Sequence, residues 1–310
     1  MKEQGKIIIG IRKSQLSTAQ ADDFQKKLLH VNDSYGDKSI CIKYIKTSGD
    51  IHNTHRLDQL GGKGLFVKEI EDQILSGDID IGIHSVKDLP AKETPGLKIA
   101  CWLKRLSPND VLLSNANLSL KDLPAGSVIG TSSIRRRSQI LSIRKDLQIK
   151  LLRGNVDTRI KKVETGEFDG AILALAGLKT LNLEKYVKEI FSVKDFIPTA
   201  GQGIIAVQCR EDDEDIRKIL KKINHNKTEV CALAERSFLK TLGGDCDTAV
   251  GCSVILDKDK IELSAQLFSD DGQKVFNVVK LGKSNQPQLL GKIAGEEILK
   301  KSGNSFIKKR

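Results

Sequence analysis

The hydrophobic pattern changes period along the first two thirds of this chain, and that alternation restricts the fold more than any other feature. Phe66, Ile70 and Ile74 share one helical face, Gly77 closes the helix, and Asp78-Ile79-Asp80-Ile81-Gly82-Ile83 alternates as a strand. A second helix from about Val156 ends at Gly166, and Glu167-Phe168-Asp169-Gly170-Ala171-Ile172-Leu173 enters another strand, with a turn near Ala176-Gly177. Strands alternating with helices pair in parallel and carry the helices on their faces, so the expectation is an α/β architecture.

The two segments also match each other. Gly77, Asp78 and Asp80 correspond in type to Gly166, Glu167 and Asp169, and Gly10 to Leu16 is similar to Gly130 to Ile140. Two related lobes explain this likeness; chance agreement among short, common residues is the other explanation. The last third changes character. Thr228 can cap a helix with Val230, Leu233, Ala234 and Phe238 on one face, and strands follow near 249–256, 260–268 and 274–280. Asp271-Gly272 supplies a hairpin turn, and a final helix begins near Pro287, which makes a small α+β domain with a three-stranded antiparallel sheet.

A chain of 310 residues, 39% hydrophobic, can bury two or three cores. Its apolar run Ile7 to Ile9 is too short for a signal peptide or a membrane span, so a cytoplasmic location is expected. Six cysteines without a C-x-x-C pair read as reduced thiols, and five scattered histidines offer no metal-ligand spacing, so no metal is expected. The formal charge of +11 favours an anionic partner without choosing among nucleic acid, an acidic surface and a small polyanion.

In open α/β sheets, ligands bind beyond the carboxyl ends of strands, where helix N-termini present backbone N–H groups. Arg12 and Ser14 follow the strand at Ile7 to Ile9; Thr131, Ser132, Ser133, Arg135 and Arg136 follow Val128-Ile129; Arg153 and Arg159 flank Gly154-Asn155. Each arginine taken alone reads equally as a solvated or paired surface charge, but four such placements together favour ligand binding. Leu60 to Phe66 is no Walker loop, because position 57 is leucine where glycine is needed. Its three glycines suit either a mobile cover or a helix-start turn. Asp88, just after a strand and two residues before Pro90, can face a cleft or brace a turn. Cys246, in Gly243-Gly244-Asp245-Cys246-Asp247, is either an accessible nucleophile or an idle loop thiol.

Taken together, His84 to Pro90, Gly61 to Glu69, Gly130-Thr131-Ser132-Ser133 with Arg135-Arg136, and Arg153-Gly154-Asn155-Val156 with Thr158-Arg159 resemble the porphobilinogen deaminase (hydroxymethylbilane synthase) family. Leu173-Ala174, Ala176-Gly177-Leu178, Gly201-Gln202-Gly203 and Cys209-Arg210 agree as well, so the resemblance covers nearly the whole chain, loosely in the final domain. It implies two periplasmic-binding-protein-like lobes with mixed, mainly parallel sheets. The first is discontinuous, 1–103 with 200–222; the second is 104–199; a third domain, 223–310, anchors a cofactor.

The resemblance further implies a dipyrromethane cofactor held by a thioether at Cys246. Four porphobilinogen molecules condense on it with loss of ammonia, through an azafulvene, before hydrolytic release of hydroxymethylbilane. Asp88 is then the catalytic carboxylate. Lys87, Ser133, Arg135, Arg136, Thr131, Arg153, Gly154 and Asp50 are implied for the cofactor, and Arg12, Ser14, Arg153, Arg159, Lys63 and Gln202 for the substrate. Two departures stand out: position 180 is threonine where the family usually has arginine, and Cys246 has acidic neighbours, which disfavour a thiolate. The implied enzyme is a monomer that binds neither nucleic acid nor membrane. A nucleic-acid binder is one rival, weakened by 4% aromatic content. A solute-binding protein without chemistry is the other.

Overall fold

The computed structural model of the chain describes residues 6–31, 39–48, 64, 66–243 and 248–303. Asp50, Lys63 and Cys246 therefore lie outside the described residues, as does most of the glycine-rich loop.

The first lobe begins with β1 (Ile7–Arg12), α1 (Gln15–Val31), β2 (Ile40–Ile45), α2 (Lys68–Ser76), β3 (Ile81–Ser85) and β4 (Leu97–Trp102). Helix α2 buries Ile70 and Ile74 and ends at Gly77, whose left-handed φ of 80° lets its N–H reach Ile74 O. The sheet order is β2-β1-β3-β10-β4, with β10 (Ile205–Arg210) inserted from much later in the chain. Because β10 enters from the opposite end, it pairs antiparallel with β3 and β4, whereas β1 pairs parallel with β2 and β3.

The second lobe repeats this wiring. It holds β5 (Asp110–Ser114), β6 (Val128–Gly130), α3 (Ile134–Ile143), β7 (Gln148–Lys150), α4 (Val156–Glu164), β8 (Gly170–Ala174), α5 (Leu175–Thr180) and β9 (Glu189–Ile190). The sheet order is β7-β6-β8-β5-β9, parallel around β6 and antiparallel around β5. Each sheet thus has four strands in one sense and one reversed, mixed but mainly parallel, because one crossing strand enters it from the other end. The chain does not turn at Ala176-Gly177; both residues lie within α5, which starts directly after β8.

The sequence likeness between the lobes has a physical basis. Asp80 Oδ2 accepts from Ile8 N at 2.9 Å, and Asp80 N donates to Ile8 O. Asp169 Oδ2 accepts from Val128 N at 2.7 Å, and Asp169 N donates to Val128 O. In both lobes an aspartate just before β3 or β8 clips the entry of the neighbouring strand, β1 or β6, accepting from its backbone N–H.

The two crossovers between the lobes touch at glycine. Gly203 has φ +79°, and a Cβ there would fall 2.1 Å from Ser107 O, so only glycine lets the outgoing and returning segments meet. The last domain follows α6 (Glu214–Ile223): α7 (Asn226–Leu242), antiparallel β11 (Val250–Asp257), β12 (Lys260–Phe268) and β13 (Val275–Lys283), then α8 (Pro287–Ser302). The N-cap of α7 is His225 and not Thr228; His225 Nδ1 accepts from Thr228 N, while Thr228 Oγ1 accepts from Arg105 N. Buried Glu235 on α7 accepts from Arg105 Nη1 at 2.6 Å, Gly201 N at 2.6 Å and Val254 N at 2.9 Å. One carboxylate therefore joins both crossovers to the third domain.

Candidate active site

A cleft of about 1040 Å³ opens between the lobes at the carboxyl ends of their strands, with Thr248 and Val250 of the third domain also on its wall. Twelve lysine and arginine side chains line it, against three aspartates and no glutamate among the described residues. Such a wall suits a ligand carrying several carboxylates.

From the first lobe come Arg12, Ser14, Lys87 and Asp88. Arg12 ends β1, and its Cζ lies 4.1 Å from the centre of the Phe66 ring, which orients the guanidinium by cation–π attraction. Ser14 Oγ accepts from Ser17 N at 3.1 Å in the first turn of α1. Lys87 and Asp88 close the 3₁₀ turn that follows β3 and are half-buried. Burial lowers the Lys87 pKa; Asp88 opposes that shift, and Arg136 adds to it.

From the second lobe come Thr131, Ser133, Arg135, Arg136, Arg153, Gly154 and Arg159. Ser133 caps α3, accepting from Arg136 N at 3.4 Å. Arg159 Nε donates to Gly154 O at 2.8 Å. Burial, then the charges of Arg136 and Arg153, bring the Arg159 pKa down to about 10, with Asp88 opposing. Cations packed this closely call for a counter-anion from the cleft side.

Arg135 and Arg136 are 4% and 7% exposed, and part of each guanidinium is already committed. Both bond to Asp110, which has no exposed surface. Gln202 Nε2 donates to Asp110 Oδ1 at 3.0 Å and to Pro108 O at 2.6 Å, from the returning crossover. Burial pushes the Asp110 carboxyl up, but Arg135 and Arg136 outweigh it and hold its pKa at about 2. Asp110 was invisible to motif reading. The available signal was a charged residue opening the apolar run Val111-Leu112-Leu113. Thr180, also on the cleft wall, donates its hydroxyl back to Ala176 O at 2.9 Å, so it offers no replacement for an arginine.

Comparison with known proteins agrees with this geometry. The family model described as "Porphobilinogen deaminase, dipyromethane cofactor binding domain" matches residues 7–218, and "Porphobilinogen deaminase, C-terminal domain" matches 229–300. A porphobilinogen deaminase of Ehrlichia canis (strain Jake) is 46% identical over 272 residues, 87% of this chain and 90% of the relative. One of Bacillus cereus (strain AH820) is 39% identical over 304 residues, 97% of each chain. Among solved structures, a TRAP periplasmic solute binding protein from Desulfovibrio salexigens with bound orotic acid aligns with a TM-score of 0.39 at 13% identity, over 71% of this chain and 76% of that one. At that distance the two-lobe description rests on the sheets themselves. By its match to both family models and to full-length relatives, the chain belongs to the porphobilinogen deaminase family.

Proposed function

We propose that this chain, a transferase of tetrapyrrole biosynthesis, builds hydroxymethylbilane from four porphobilinogen molecules on a dipyrromethane held by a thioether at Cys246. The observation that carries this reading is a strongly cationic cleft between two lobes, with Asp88 on its wall beside Lys87. The described residues that flank Cys246 support the anchor: Leu239 before it and Thr248 and Val250 after it all line that cleft.

When bound, dipyrromethane supplies the pyrrole α-carbon from which the product grows. Lys87, Thr131, Ser133, Arg135, Arg136, Arg153 and Gly154, with Asp50, hold it; forked guanidiniums match planar carboxylates. Arg12, Ser14, Arg153, Arg159 and Lys63 orient the acetate and propionate of porphobilinogen; Gln202, expected from the resemblance to join them, instead commits its amide N–H groups to Asp110 and Pro108 O and is left out of substrate binding. Each addition breaks one C–N bond, forms one C–C bond and releases ammonia, with the α-proton of the attacking pyrrole balancing the leaving amine. Positive charge spreads onto the pyrrole nitrogen as ammonia departs, and Asp88 stabilises it and moves protons in the sheltered cleft. The same reading divides the chain into 1–103 with 200–222, 104–199 and 223–310, working as a cytoplasmic monomer.

Intact mass of the purified protein beside a Cys246→Ala variant tests the anchor. The expected result is an excess of two linked pyrroles in the wild type alone. Protein that neither gains mass nor releases ammonia with porphobilinogen refutes the reading.

A further inference from the structure

We propose that Asp110 is a positioning residue that aims the guanidiniums of Arg135 and Arg136 at the carboxylates of the bound cofactor; the inference rests on the functional reading above. Asp110 Oδ1 accepts from Arg136 Nε at 3.0 Å and Nη2 at 2.7 Å, and Oδ2 accepts from Arg135 Nη2 at 2.7 Å. Each guanidinium has a second anchor: Arg136 Nη1 donates to Ile172 O at 2.9 Å, and Arg135 Nη1 donates to Ile197 O at 2.7 Å. A guanidinium carries five N–H donors. Arg136 therefore keeps two for the cleft and Arg135 three, including a buried Nε with no described partner.

One carboxylate against two cations leaves a positive charge in excess, and burial makes an anion arriving from the cleft the natural complement. Among the described residues the first lobe has no such device. There Ile205 opens β10 opposite Ser85, just as Asp110 opens β5 opposite Ala174. The carboxylate is thus peculiar to the lobe that presents two adjacent arginines at a helix start, and Gln202 ties it to the returning crossover.

Wild type, Asp110→Asn and Asp110→Glu, each prepared without cofactor, are incubated with porphobilinogen and followed by intact mass as two pyrroles are gained. Asp110→Glu keeps the charge but displaces the oxygens. Charge balance alone predicts wild-type kinetics for it; positioning predicts a slowdown of about tenfold or more in both variants with native circular dichroism. Wild-type kinetics in either folded variant overturns the proposal. If neither folds, Gln202→Leu decides, since it leaves both ion pairs in place. Slower cofactor gain with an unchanged KM on the loaded enzyme supports positioning; unchanged gain, or a raised KM in its place, overturns it. A wild type that gains no mass, or a Cys246→Ala variant that gains it equally, refutes the functional reading instead.

Discussion

In the first lobe β1 lies between β2 and β3, then reversed β10 and an edge strand β4 in the original sense complete the sheet; in the second, β6 lies between β7 and β8, and reversed β5 and edge strand β9 complete it in the same way. Gly77 and Gly166 end the preceding helices with φ of 80° and 76°, and Asp80 and Asp169 clip β1 and β6 alike. Against that shared frame the chemistry diverges. The first lobe places Lys87 and Asp88 after β3; the second continues from the equivalent strand, β8, directly into α5 and gathers its charge at α3 and α4. The frame supplies strand ends that face a common cleft, and side chains at those ends divide the work between a reacting carboxylate and anion-holding cations.

The largest expected effect breaks this division from the first lobe. Asp88→Asn removes the charge but not the volume, so kcat falls by about 10²–10⁴-fold while the melting temperature stays close to that of the wild type. Steady-state kinetics with differential scanning fluorimetry checks both. Equal losses of kcat and stability would assign Asp88 to bracing the turn.

Stability separates the lobes next. Asp110→Ala strands two buried guanidiniums and costs about 3–5 kcal/mol. Ile205→Ala, at the equivalent place in the first lobe, trims a half-buried side chain and costs about 1–2 kcal/mol. Urea unfolding of the two variants measures the gap, and similar midpoints would mean that Asp110 does not carry the cluster.

Acid distinguishes them as well. His84 on β3 is 4% exposed, and burial lowers its pKa to about 4, with a Gln208 contact opposing; Leu173 occupies the equivalent place on β8. Neutral His84 is favoured in the folded state, so its contribution is complete above pH 6.5 and is lost as pH falls from 6.5 through about 4. Between pH 7 and 4.5 the loss is about 2–3 kcal/mol. His84→Leu, which copies the second lobe, should flatten that part of the urea-midpoint profile; an unchanged slope would place the acid sensitivity elsewhere.

The alternating periods made the lobes legible in sequence, because burial on one face of a helix and on alternate residues of a strand is local information. The insertion of β10 between β3 and β4 was not readable from periodicity, since sheet order depends on partners a hundred residues apart; only the family resemblance implied it. Arg153 and Arg159 were found because strand-end cations follow a positional rule. Asp110 and Glu235 were missed, since each is a lone acid in an apolar stretch whose partners, Arg135, Arg136 and Arg105, arrive from distant segments. Thr228 was misplaced as a cap because Ser and Thr lead the statistics there, whereas His225 Nδ1 takes the bond in this chain.

The smallest effect sharpens the shared frame itself. Asp80→Ala and Asp169→Ala each leave a strand-entry N–H, that of Ile8 or Val128, without its carboxylate, and each loss costs about 1–2 kcal/mol. Asp80 also receives Arg210 Nη2 at 3.1 Å, and Arg210 remains bonded to Asp213 and to the carbonyls of Ile74 and Ile79 when Asp80 is gone. The extra pair is therefore partly replaceable, and Asp80→Ala should exceed Asp169→Ala by about 1 kcal/mol at most. The double variant should equal the sum of the singles to within about 0.5 kcal/mol, because the clips share no partner. Hydrogen exchange at Ile8 and Val128 reads each clip separately: protection should fall at Ile8 only in Asp80→Ala and at Val128 only in Asp169→Ala. If either variant deprotects both strands, the lobes unfold as one unit and the repeat is a single cooperative body.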